Sequence, residues 1–132
     1  MDTPDTFRAS AAEGRIGVAL EARRVGGDWL VLLTGGTAHL GACALGLWDP
    51  EAGRASASVL TAPGHREEEV CLEAARRIAA AGRLRVVVAA GLHYEGASAA
   101  EIEAAVALCR RLVARLAAFL EAPGPPSAGR EA

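Results

Sequence analysis

The order of apolar and polar positions divides the chain into a sheet-forming first half and a helix-rich second half. In "RIGVALEARR" the side chains of Ile16, Val18, Leu20 and Ala22 recur at period two, which places them on one face of a strand. "VGGD" then supplies a permissive Gly-Gly turn into the apolar run "WLVLL", so this stretch predicts a β-hairpin. "ACALGLW", the turn-rich "DPEAG" and "RASASVL" predict a second pair of strands. From "HREEEVCLEAARRIAAAG" the period lengthens. Val70, Ala74 and Ile78 repeat at four, Cys71 and Ala75 widen the stripe, Glu67, Glu68 and Glu69 form an acidic first turn, and Arg76, Arg77 and Gly82 mark the far end. "LRVVVAA" is near-continuously apolar and predicts a central strand. The last helix has the clearest pattern. Ser98 and Glu101 form a capping box, Ile102, Val106, Cys109, Val113, Leu116 and Leu120 alternate at four and three, and Leu108, Leu112 and Phe119 broaden the stripe.

Sheet followed by helices predicts a small two-layer α+β domain, with a mixed β-sheet covered by two main helices. The expected organisation is a flexible N-terminal segment at 1–14, a single domain at 15–121 and a disordered Pro/Gly-rich tail at 122–132. The breadth of the last helix points to self-association in addition to covering the sheet.

At 132 residues the chain has room for one core, and its formal net charge of −2 gives no positive field to gather nucleic acid or anionic lipid. Cys43, Cys71 and Cys109 form no close pair and read as small buried hydrophobes in a reducing compartment. No segment has the pattern of a signal peptide or a membrane-spanning helix, so the expected location is cytoplasmic.

The three histidines each fall at an element boundary, where strands and helices fix loops whose polar groups remain available to a ligand. His39 follows "TGGT", His65 opens the first helix after "APG", and His93 lies in "AGLHYEG". One chemistry for such a set is a metal-dependent enzyme, in which His39, His65 and His93 hold a divalent ion whose open position activates water, although their spacing matches no compact ligand motif. Another is an anion or a phosphate-bearing cofactor. Gly35 and Gly36 would permit close backbone approach, Thr34 and Thr37 would donate hydroxyls, and Arg66 and the helix start at His65 would attract negative charge. Set against both is a structural reading, in which the glycines form a tight turn and Glu67 to Glu69 are a solvated helical turn. No nucleophile elbow and no paired carboxylate array stands out.

The ordered set "VLLTGGTAHLGACALG", "GHREEEVCLEAARRIA" and "VVVAAGLHYEGASAAEI" resembles the LpdD-like family, the small accessory subunits of gallate-type, UbiD-like decarboxylases described as prenylated-flavin chaperones. The resemblance runs over about residues 15–121 and rests on His39-Leu40-Gly41, His65-Arg66-Glu67 and Gly91-Leu92-His93. It implies a non-catalytic protein that binds reduced prenylated FMN through these segments and the Thr34–Thr37 loop, and that serves a UbiD-like decarboxylase. The chain departs from the family's pattern in the short "TAPG" before the first helix, and at Ala42, where an aspartate is expected.

Overall fold

The structure is a computed structural model, described for residues 4–62 and 67–121. Its elements in chain order are β1 (Thr6–Glu13), β2 (Ile16–Val25), β3 (Asp28–Gly36), β4 (Ala42–Asp49), β5 (Arg54–Thr61), α1 (Glu68–Gly82), β6 (Arg85–His93) and α2 (Ala99–Glu121). The six strands form one sheet in the order β1-β2-β3-β6-β4-β5. β3 and β6 pair in parallel and every other neighbouring pair is antiparallel. The domain is thus the expected two-layer α+β arrangement: a mixed sheet with α1 packed on β4, β5 and β6, and α2 on β1 and β2.

Each inward side chain follows from the pleat. Ile16, Val18, Leu20 and Ala22 of β2, Trp29, Val31 and Leu33 of β3, and Val86, Val88 and Ala90 of β6 are all buried under the helices. β4 turns the small residues Ala42, Ala44 and Gly46 toward α1, whose buried face is itself rich in alanine at Ala74, Ala75 and Ala79. Small side chains on both layers let helix and sheet approach closely, and a Cβ at Gly46 would meet the backbone of Ala75.

Two sequence expectations are corrected here. The segment 1–14 is not a flexible lead-in, because Thr6–Glu13 forms edge strand β1, paired from Thr6↔Arg23 to Glu13↔Ile16. Phe7 anchors it, 5.1 Å between ring centroids from Phe119, which also meets Trp29 edge-on at 6.1 Å. The other inward residues of β1 are Ala9 and Ala11, too small to give a visible apolar period. The first helix begins at Glu68 and keeps Gly82 as its last residue. The left-handed position falls instead on Arg83, at φ 52°, and Gly82 makes room for the Leu84 side chain. Residues 122–132, read as a tail, lie outside the described residues.

The wide stripe of α2 is largely consumed inside the domain. Leu108, Cys109, Leu112, Val113 and Leu116 are buried and Phe119 and Leu120 pack against the core, which leaves Ile102 as the large apolar side chain most exposed on this helix, at 53%. Burial pushes the Cys71 and Cys109 thiols up to about 12, as suits inert core residues, whereas Cys43 is exposed on the far face of the sheet. No described helix is long and apolar enough to cross a membrane.

The start of α2 is tied to the first hairpin by a contact 86 residues apart in sequence. Arg15 Nε and Nη2 donate to both Glu101 carboxylate oxygens at 2.8 and 3.0 Å, and Nη2 also donates to the Glu95 carbonyl at 2.9 Å. Glu101 in turn accepts from the Ser98 amide while its own amide donates to Ser98 Oγ, both at 3.1 Å, so the capping box forms as read. The Arg15 fork, then the Ser98 amide, holds the Glu101 carboxyl at about 2, below its ordinary 4.5. At intermediate acidity the unfolded chain therefore binds a proton that the folded chain refuses. The pair's contribution is full above pH 4.5 and is lost as the pH falls toward 2. Melting temperatures followed across that window should fall less steeply in Arg15→Ala than in the parent, and parallel curves would refute the assignment. The effect at neutral pH should be small because the pair is exposed.

Candidate functional site

The ends of β3 and β6, the loop 37–41 and the starts of α1 and α2 converge at one edge of the domain, and glycines let them do so. At Gly91 an added Cβ would run into the backbone carbonyl of His39, so the absence of a side chain there lets the 37–41 loop cross β6 in direct backbone contact. The Gly41 amide donates to the Ala90 carbonyl at 2.8 Å, which fixes the crossing. A Cβ at Gly41 would lie 2.5 Å from Glu67 Oε2, so this glycine makes the space that the Glu67 carboxylate fills.

Glu67 is consequently a buried carboxylate, 7% exposed, and not the solvated helical turn that its Glu-Glu-Glu context suggests. It stands at the N-cap of α1, where the helix dipole favours negative charge. Its Oε1 accepts from the Leu92 amide at 3.2 Å and lies 3.1 Å from His39 Nε2. The other ring nitrogen, His39 Nδ1, lies 3.2 Å from the Thr37 carbonyl. Glu67 and Thr37 therefore bracket the two ring nitrogens and fix the orientation of the imidazole at the cavity mouth.

The His93 ring stands edge-on to that of His39, with 6.5 Å between centroids, and its Nε2 faces Glu95 at 3.2 Å. Tyr94 Oη donates to the Gly17 carbonyl at 2.7 Å, and burial pushes this phenol up to about 12, so it stays a neutral donor. His39, Glu67, His93 and Tyr94 border a cavity of about 430 Å³, walled by Val70, Leu92, Ala105 and Val106 with Ile102 at the rim. That volume and its apolar wall with few polar groups are the usual character of a small-molecule site.

The residues singled out in the sequence divide into three groups. His39, Glu67 and His93 meet at the cavity, with Gly41 and Gly91 behind them as packing glycines. Thr34, Gly35 and Gly36 lie elsewhere, in a shallow depression shared with Ser10, Ala12 and Ala19. The double glycine there admits its neighbours: a Cβ on Gly35 would strike Tyr94 Oη, and Gly36, at φ 64°, lies against the His93 carbonyl. The Thr37 amide is committed to that same carbonyl at 2.9 Å. His65 and Arg66 lie outside the described residues. Among the described residues no group of three or more His, Cys, Asp or Glu converges as a metal-binding set. Sequence reasoning missed Val70 and Ala105 as cavity wall, because that role depends on which faces of α1 and α2 meet.

The open-faced two-layer domain thus carries a ligand-sized cavity at its loop ends. Residues 12–121 match the family model described as "Prenylated flavin chaperone LpdD-like domain", and the chain belongs to that family. Its role is that of a chaperone or accessory domain linked to prenylated flavin. No curated protein matches the chain. Among solved structures it is similar to a chain of the crystal structure of a novel chaperone complex for yeast 20S proteasome assembly. The TM-score is 0.50 at 9% identity, covering 89% of this chain and 99% of that one, a likeness of fold alone.

Proposed function

We propose that the chain binds reduced prenylated FMN in the cavity bordered by His39, Glu67, His93 and Tyr94, and passes it to a UbiD-like decarboxylase in the cytoplasm. The observation that carries this reading is the pairing, in a chain of this family, of a cavity of about 430 Å³ with an apolar wall and a polar mouth. The donor set suits the ligand. A flat ring system needs apolar walls, its heteroatom edge needs donors such as the His39–Glu67 pair, and the cavity lining among the described residues carries imidazoles but no Lys or Arg.

Prenylated FMN supplies the decarboxylation chemistry once it is in the partner enzyme. This chain's own residues have simpler tasks. Leu92, Val70, Ala105 and Val106 exclude water, Tyr94 holds the loop against β2, and Glu67 keeps His39 oriented. A carrier needs enclosure and orientation more than a nucleophile.

Maturation is tested by producing a UbiD-like decarboxylase with and without this protein at limiting flavin supply. The fraction of enzyme carrying active cofactor should rise several-fold when the protein is present, and less with His93→Ala. Equal occupancy with and without it would reject delivery.

A further inference from the structure

The cavity wall between β6 and α2 is a tight turn. The Ala97 amide donates to the Tyr94 carbonyl at 3.2 Å, Gly96 stands at φ 62°, and Glu95 before it is not left-handed. A four-residue turn whose third residue alone is left-handed is type II, and glycine suits that position. Tyr94, Gly96 and Ala97 line the cavity, and the Glu95 carboxylate faces His93. The central peptide, between Glu95 and Gly96, is trans, so its carbonyl and its amide point in opposite directions. Reversal of this peptide converts type II into type I and exchanges the sides on which the two groups lie.

The carbonyl end is held from outside the cavity. Arg15 is the second residue of the two-residue turn that joins β1 to β2, after Gly14 at φ 58°. From there Nη2 donates to the Glu95 carbonyl at 2.9 Å, while Nε and Nη2 donate to the Glu101 carboxylate at 2.8 and 3.0 Å. The fork thereby fixes the guanidinium on one side of the turn, and Tyr94 Oη ties the turn to the same hairpin at the Gly17 carbonyl. At the other end of the peptide, no described residue accepts from the Gly96 amide. We propose that Arg15, which does not itself line the cavity, positions the Gly96 amide as a hydrogen-bond donor to the heteroatom edge of the flavin ring. In this role, which rests on the cavity being the flavin site, Arg15 acts through the peptide it holds. An amide aimed in advance spares the ligand the cost of ordering it. With the peptide reversed, the Glu95 carbonyl would take that side and repel the carbonyl oxygens of the ring.

Because the Arg15 pair is exposed, Arg15→Ala should keep the parent fold at neutral pH. Nuclear magnetic resonance of the ligand-free chain should show a strong Overhauser effect from Glu95 Hα to the Gly96 amide, as a type II turn requires, and a weaker one in Arg15→Ala. Reduced prenylated FMN should shift the Gly96 amide proton downfield in the parent, and Arg15→Ala should bind it about tenfold more weakly. Arg110→Ala, which removes the comparable exposed fork to Glu73, should bind like the parent. An unchanged Overhauser effect in Arg15→Ala, a Gly96 amide that does not move at saturation, or equal losses in Arg15→Ala and Arg110→Ala would overturn the proposal. A parent that takes up no flavin would overturn the cavity reading and the donor role with it. The Overhauser effect would still decide whether Arg15 sets the turn.

Discussion

Gly91→Ala should lower the stability of the domain by about 3 kcal/mol or more, which for a chain of this size is a drop in melting temperature of roughly 15 °C. The magnitude follows from what the new methyl meets. It would be driven into the backbone carbonyl of His39, not into the movable end of a side chain. Relief requires the 37–41 loop to lift from β6, which breaks the Gly41 to Ala90 hydrogen bond and draws His39 away from Glu67. Glu67 would then remain buried with one fewer partner, a further cost of the kind that makes broken buried networks expensive. Gly17→Ala is the matched control, since an added Cβ there meets nothing within 4 Å and the backbone needs no left-handed conformation. Thermal unfolding of the two variants beside the parent checks the claim. A Gly91→Ala protein that melts with the parent would show that the loop does not cross β6 as described.

Ala105→Trp should weaken binding of reduced prenylated FMN by on the order of a hundred-fold, about 2.7 kcal/mol, while leaving the fold intact. Ala105 is 6% exposed and forms part of the apolar wall contributed by α2, so an indole there occupies volume that the ligand needs. Ile102→Trp, at the rim on an exposed position, should produce a smaller loss through partial occlusion and carries little risk to the core. Near-parent affinity in Ala105→Trp, with its melting temperature preserved, would place the ligand elsewhere on the surface.

The parts of this molecule legible in its sequence are those governed by short-range chemistry. The β2–β3 hairpin shows because Gly26 and Gly27 separate two apolar strands, and the start of α2 because Ser98 and Glu101 are three residues apart. β1 is hidden because its strand character depends on the ladder to β2 and on Phe7 reaching Phe119, more than a hundred positions away. The clearest failure of local pattern is the burial of Glu67, a residue singled out only through the resemblance at His65-Arg66-Glu67. In a row of three glutamates it reads as solvated, and its burial follows from Gly41 and Leu92, brought to it by the crossing of loop and strand. The double glycine teaches the converse lesson. Bare backbone at Gly35 and Gly36 looks like space for a ligand, but that space is occupied by Tyr94 and His93 of the same chain. His39 and His93 are legible as candidates because each falls at an element boundary, and their mutual approach is a property of the parallel β3–β6 pairing, which no local pattern announces.

An anaerobic titration of the purified chain with reduced prenylated FMN, followed by removal of free ligand and mass analysis of what is retained, tests the cavity assignment most directly. One cofactor per chain retained by the parent, with little or none retained by Ala105→Trp, is the expected result. No retention of any FMN form by the folded parent, under conditions that keep the cofactor reduced, would contradict it.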